Sequence, residues 1–437
     1  MPNNWPVPAR MILSQTMISP QSPYHSALIG IISFLLIIPI DLLGGSDQNF
    51  TLPVSVVLIP IGLYCFLKSR SHDSTRLKLA CISGLLSVLI TTIIICVSYV
   101  GQPSLRPLAS LLYFFAPSTI YFLAKEVVTK DAAFIVFLRS SFYSAIALAL
   151  SLTLTVFVFG DGLVRAADIG IMNGTFFSLP LSGAYGVHTM VDHYFLICII
   201  VAYYAQSGLA TVVEQIIAFA LAACFICIMI LSLSREVVLA LVVVGIIYGF
   251  RHINLVALAA IAAALSLGIY TNLDRLAAIG ALWETKIYMT EHSHDMNDLS
   301  SGRLDLQNDA VMQLIRYPLT GTGFYGYILT KKYSEGSDDI AGWTTHVYYL
   351  TTAWKMGLIG AAFYFMFFAG LVKQSIRFSR KVFPGSAKLY TIALWTFLLV
   401  LNMLWDALLA PGIMCLFAFF VGSMARAEER QVLGIKQ

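Results

Sequence analysis

Twelve runs of apolar residues recur along this chain. Each is close to the 17 to 25 residues, roughly, that carry a helix across a bilayer, and no other feature constrains the fold as much. They lie near residues 27–44, 52–68, 78–99, 107–124, 132–160, 190–206, 211–233, 236–250, 254–270, 346–371, 387–404 and 406–423. In hydrocarbon every peptide group must find its hydrogen bond within the protein, so such runs predict helices. The expected fold is an all-α polytopic membrane protein, a bundle of about twelve transmembrane helices. Composition agrees: 58% of residues are hydrophobic, mean hydropathy is +0.81 and only 11% are charged, where a soluble domain carries roughly 25%. An ordinary soluble enzyme and a disordered chain are both excluded.

The distribution of basic residues sets the expected orientation. With the N-terminus inside, sixteen Lys and Arg, among them Lys68, Arg76, Lys125, Arg251, Arg377 and Arg430, fall in inner segments, and only Arg106, Arg165 and Arg235 fall in short outer loops. This is the asymmetry of the positive-inside rule, and removing one helix would destroy it. Both termini are therefore expected in the cytoplasm. Residues 1–26 show no basic, apolar and small-residue succession of a cleaved signal peptide, so the first span is expected to stay in the membrane. The net charge of +4 is too small to suggest a nucleic acid partner. All seven cysteines, including the Cys224-x-x-Cys227 pair, fall inside spans, so no disulfide framework is expected.

The chain divides into spans one to nine (1–270), a long outer loop (271–345), and the last three spans with a tail (346–437). Long loops inside a compact protein are usually functional or disordered. Within this one, residues 305–316 place Leu306, Ala310, Val311, Leu314 and Ile315 at helical spacing, which suits a short helix lying along the membrane surface. A second outer loop spans 161–189 and carries Arg165 and Asp168. His188, Asp192 and His193 lie where it meets the sixth span, and His292, His294 and Asp295 lie in the long loop. Neither set has a recognised metal spacing, and no metal site is expected.

Three outer segments carry groups suited to chemistry: Ser234-Arg235-Glu236, Ser301-Gly302-Arg303, and His346 at the head of the tenth span. An arginine fork pairs bidentately with phosphate oxygens and stays charged, and an imidazole can take a proton from a sugar hydroxyl. The plain alternative is that Arg235 snorkels to the headgroups while His346 merely starts a helix. Gly321-Thr-Gly-Phe-Tyr-Gly326 matches G-x-G-x-x-G, but no βαβ unit surrounds it, so a dinucleotide is rejected and a sharp turn toward substrate or bundle is expected. Tyr325, Tyr327, Tyr333, Trp343, Tyr348 and Tyr349 suit either stacking on sugars or the interfacial aromatic belt. Lys355 lies nine residues after His346, on the opposite helix face, and is expected to pair with Glu214 or Asp406.

Ser301-Gly-Arg-Leu-Asp-Leu, Arg316-Tyr-Pro-Leu-Thr-Gly-Thr-Gly and His346-Val-Tyr-Tyr-Leu followed by Gly357 and Gly360 together resemble the bacterial O-antigen polymerase and O-antigen ligase superfamily. The upstream Ser234-Arg235 resembles that family's Ser-Arg-Gly, and the similarity covers roughly residues 230–365. The resemblance implies a GT-C-like, inverting glycosyltransferase of the inner membrane, independent of metal and of any cofactor, with its active site facing the periplasm. Its donor would be an undecaprenyl-pyrophosphate-linked glycan and its acceptor a glycan or lipid A-core, with a chain-length regulator as a further partner. Carried over by position, Arg235 and Arg303 would bind the pyrophosphate, and His346 would activate or orient the acceptor hydroxyl. Beside that carry-over, Gly321, Gly323, Arg165 and Tyr349 are candidates to line the same pocket; for Arg165, as for Asp168, the residues favour the plainer reading of a solvated loop charge. The resemblance leaves polymerase, acting on O-antigen or exopolysaccharide repeat units, and ligase both open, with a lean to polymerase. A lipid-linked sugar flippase or polysaccharide exporter is the rival class. Such transporters commonly show two related halves, and no internal repeat is evident here.

Overall fold

The computed structural model describes residues 22–40, 54–69, 72–95, 105–128, 131–158, 175–176, 179–180, 191–206, 210–231, 235–248, 281, 284, 303–323, 345, 347–382, 386–403 and 411–433. These residues are helical apart from short connections and one two-residue antiparallel pair, Thr175–Phe176 with Leu179–Pro180. In chain order the helices are α1 (Pro23–Ile37), a 3-10 turn (Val54–Leu58) leading into α2 (Ile59–Lys68), α3 (His72–Ile95), α4 (Leu105–Val127) and α5 (Asp131–Val158). Then come α6 (Val191–Gln206), α7 (Val212–Leu231), α8 (Arg235–Tyr248), α9 (Arg303–Arg316), α10 (Tyr348–Val382), α11 (Ser386–Leu401) and α12 (Pro411–Leu433). Helices stand at eleven of the twelve apolar runs, and the run at 254–270 lies outside the described residues.

Four stretches among the described residues are long and apolar enough to cross a membrane: Thr75–Ile94, Ala132–Leu154, Val212–Met229 and Tyr348–Arg377. Shorter apolar helices occupy Pro23–Ile37, Val54–Lys68, Val191–Gln206, Thr391–Leu401 and Ile413–Ala425. Their surfaces are apolar where they are exposed. Leu79, Leu86, Ile90 and Ile93 on α3 and Val212, Val213, Ile216 and Phe219 on α7 all face outward, as residues do when lipid rather than water is the solvent. The fold is that of a multi-pass membrane protein.

Local signals explain several helix starts. Ser22 caps α1, its hydroxyl accepting from the His25 amide, with Pro23 at the first helical position. Thr211 and Glu214 form a capping box at α7: the Thr211 hydroxyl accepts from the Glu214 amide at 3.2 Å, and the Glu214 carboxylate accepts from the Thr211 amide at 2.8 Å. The same carboxylate accepts from Tyr143 of α5 at 3.0 Å and Tyr204 of α6 at 2.9 Å, joining three helices at one end. Lys355 is buried over the Trp354 ring, and Asp406 lies outside the described residues.

Cross-helix contacts fix which ends meet. Phe195 of α6 stacks on Phe397 of α11, and farther along Tyr203 pairs with Thr391, so α6 and α11 run antiparallel and the start of α6 meets the end of α11. Tyr194 stacks on Phe225, and the Cys198 thiol points to the Ala222 carbonyl, so the end of α7 meets the start of α6. Helix α8 begins four residues after α7 ends, at that same end, and packs along α11. The Tyr348 amide donates to the Asn402 carbonyl at 3.1 Å, which brings the start of α10 to the end of α11. Helices α6, α8 and α10 therefore share α11 as a neighbour, and all three begin at its C-terminal end. Glu214 and its phenols sit at the opposite end.

Candidate active site

The motifs of the long loop and the tenth span build one interlocked unit at this end of the bundle. Helix α9 packs on the first turns of α10: Ala310 is fully buried against Trp354, and the Trp354 indole Nε1 donates to Gln313 Oε1 at 2.8 Å. Farther back the Gln307 amide donates to the Thr345 carbonyl at 3.3 Å. Val311, Met312 and Ile315 occupy the other side of α9 and are exposed.

The chain then turns sharply through Pro318-Leu-Thr-Gly-Thr-Gly. Gly321 and Gly323 both have positive φ, 66° and 60°, which a side chain would strain. This turn presses into a break in α10. Gly357 has φ 69° and ψ 171°, so the helix is interrupted there rather than running on as the apolar run 346–371 suggested. The physical reason is that the backbone groups freed by the break find partners elsewhere. The Leu358 amide donates to the Pro318 carbonyl at 2.8 Å, and the Trp354 carbonyl accepts from the Thr322 amide at 2.9 Å and its hydroxyl at 3.2 Å. Two hydroxyls of α3 complete the accounting: Ser87 donates to the Met356 carbonyl and Thr91 to the Thr320 carbonyl, each at 2.9 Å. Buried backbone groups without partners are expensive, and here the broken helix leaves these satisfied.

His346 lies outside the described residues, but the chain on both sides of it is held. Thr345 donates its amide to the Thr351 hydroxyl at 3.0 Å, and the two hydroxyls pair at 2.8 Å. The Val347 amide donates to the Thr345 hydroxyl at 3.2 Å, and Tyr348 is tied to Asn402 as above. Both threonine side chains are buried.

The other expected site residues are distributed as follows. Arg235 is the first residue of α8 and Arg303 the first of α9. Gly321 and Gly323 are buried in the turn against Gly357 and against Thr92 of α3. Tyr349 is half-buried in the first turn of α10, its ring 5.7 Å from Tyr348 and 5.9 Å from Phe365. Arg165 lies outside the described residues. The supporting groups Gln313, Trp354, Thr345, Thr351 and Asn402 were not singled out from the sequence. A tryptophan in an apolar run and a glutamine within an amphipathic helix carry no local sign that they will pair. Among the described residues no three His, Cys, Asp or Glu side chains gather as a metal site would require.

Residues 218–365 match the family model for O-antigen ligase, a segment running from α7 to the second half of α10 and covering about a third of the chain. Over that segment the chain is similar to the O-antigen polymerase and ligase superfamily, in agreement with the motifs read from the sequence. The match supports an O-antigen polymerase- or ligase-type function, that of a glycosyltransferase-like membrane enzyme acting on lipid-linked glycans. Comparisons with curated proteins and with solved structures return no match.

Proposed function

We propose that the protein is a periplasm-facing glycosyltransferase of the bacterial inner membrane, with both termini cytoplasmic. It transfers an undecaprenyl-pyrophosphate-linked glycan to a sugar hydroxyl, polymerising O-antigen or exopolysaccharide repeat units. The observation that carries this reading is the meeting of helix starts at one end of the bundle. Arg235 opens α8, Arg303 opens α9, and His346 lies two residues ahead of α10 in the chain, with α8 and α10 packed on α11 and α9 packed on α10. All three lie within the segment that matches the family model.

In this reading Arg235 and Arg303 hold the pyrophosphate and His346 activates or orients the acceptor. The diphosphate is already a good leaving group, so no covalent enzyme intermediate is needed. The protein aligns a hydroxyl opposite the breaking bond and offsets the charge that develops on the phosphate. A single preorganised donor of this kind is worth ~3 to 4 kcal/mol. Direct displacement inverts the anomeric carbon, and none of these roles asks for a metal. Gly321 and Gly323 fix the turn that sets α9 against α10, while Arg165 and Tyr349 line the pocket.

Ligation of the glycan to lipid A-core is the second reading, favoured by the description of the matching family model. One experiment separates the two. Membranes of a deletion strain carrying the protein are given a lipid-linked glycan with and without purified lipid A-core. Longer lipid-linked chains identify a polymerase and a capped core identifies a ligase. Neither product, from protein that is full-length and inserted, overturns the enzymatic reading. A chain-length regulator would alter the length distribution in the first case only.

A further inference from the structure

Asp192 stands in the first turn of α6, at the same end of the bundle as Arg235 and Tyr348, and is 1% exposed. Neither of its carboxyl oxygens has a hydrogen-bond partner among the described residues. The partial positive charge of the helix N-terminus offsets part of the burial cost but supplies no bond to those oxygens. An ionisable group left unpaired inside a membrane helix marks a ligand or a transport path.

The direction of Asp192 follows from its neighbours. His193 turns to α1, its Nε2 2.9 Å from the Ile37 carbonyl, and Tyr194 turns to α7, stacking on Phe225. At about 100° per residue, Asp192 shares the face of Phe195, Leu196 and Tyr203. That face meets α11 and α12, through Phe195 on Phe397, Tyr203 on Thr391 and Tyr203 on Phe420. Asp192 lies about one turn beyond Phe195, level with the last turn of α11. There the Asn402 carbonyl takes the Tyr348 amide, two residues after His346.

The chemistry of the group narrows what it binds. An ionised carboxylate only accepts hydrogen bonds and repels the pyrophosphate. Sugar hydroxyls donate and accept, so they satisfy a carboxyl in either protonation state. A divalent cation wants several oxygen ligands, and His193 points away while no three ligating groups gather among the described residues. We propose that Asp192 binds hydroxyls of the glycan at the active site, beside the end of α11. The proposal rests on the glycosyltransferase reading above and assigns that site a sugar-recognition residue.

The test uses full-length protein in lipid nanodiscs. Asp192→Asn keeps the side chain's shape, and its melting temperature reports folding. The variant is expected to bind farnesyl pyrophosphate as the wild type does. Its KM for one glycan substrate should rise about 10- to 100-fold, the range for losing a hydrogen bond to a charged group. Varying donor and acceptor separately shows which sugar Asp192 contacts. Wild-type KM for both overturns the proposal, whatever Asp192→Ala does to stability. An arm without turnover uses dicyclohexylcarbodiimide. Asp192 should be modified, and lipid-linked glycan should protect it while farnesyl pyrophosphate does not. No modification, or no protection by glycan, also overturns it. Loss of farnesyl pyrophosphate binding from the wild type itself would instead sink the lipid-pyrophosphate reading, leaving glycan protection of Asp192 as a separate result.

Discussion

Gly321 and Gly357 meet backbone to backbone. A Cβ built on Gly321 would lie 2.3 Å from the Gly357 nitrogen, and one built on Gly357 would lie 2.6 Å from the Gly321 nitrogen and 2.2 Å from the Leu319 carbonyl oxygen. Both have positive φ. The turn after α9 and the break in α10 are thus packed as one structure.

Alanine at Gly321 or Gly357 should therefore destabilise the protein by at least about 2 kcal/mol, combining left-handed strain with overlap against backbone that has no room to move. Thermal unfolding of solubilised protein checks this. Gly30→Ala is the control, since its added Cβ would meet only the Ser140 hydroxyl at 3.7 Å, and it should melt near the wild type.

Thr351→Val removes the hydroxyl that accepts the Thr345 amide. Leaving that buried donor unpaired costs about 1 to 3 kcal/mol, and the larger effect should be on turnover, because the chain beside His346 is released. Thr351→Ser should restore both rate and melting temperature. A valine variant with unchanged rate would show that this anchor does not position the histidine.

The Trp354–Gln313 bond is readable by a double-mutant cycle. Trp354→Phe and Gln313→Leu each strand a buried partner, whereas the double variant strands neither, so the coupling should be about 1 kcal/mol and the double variant milder than the sum. Denaturation midpoints of the four proteins supply the cycle. Additive losses would deny the bond any net role.

Glu214→Gln offers the contrast at the far end of the bundle. It weakens the cap of α7 and the acceptor shared by Tyr143 and Tyr204, so the melting temperature should fall modestly. Product formed per folded molecule should not change, since no proposed site residue lies there.

Much of this fold is visible in the sequence because hydropathy sums over many residues. The apolar run 211–233 marks α7 within two residues, and the spacing of Leu306, Ala310 and Leu314 marks α9 within two residues. The break at Gly357 is not visible. Met356-Gly357-Leu358 sits in an unbroken apolar run, and what makes the break tolerable is a set of bonds from Pro318, Thr322 and Ser87, far off in sequence. The glycines of the Gly321-Thr-Gly323 motif signal a turn, but only the fold shows that it presses into α10. Asp192 reads locally as an acidic residue at a helix start; its lack of partners appears only once α5, α7 and α11 pack around α6.

The most direct measurement is a cryo-electron microscopy map of the protein with undecaprenyl pyrophosphate bound. Both arginine side chains, Arg235 and Arg303, are expected within about 4 Å of the diphosphate oxygens, with the His346 ring on the same side, near the end of α11. A diphosphate seated elsewhere, or either guanidinium turned out to lipid, would contradict the proposed site.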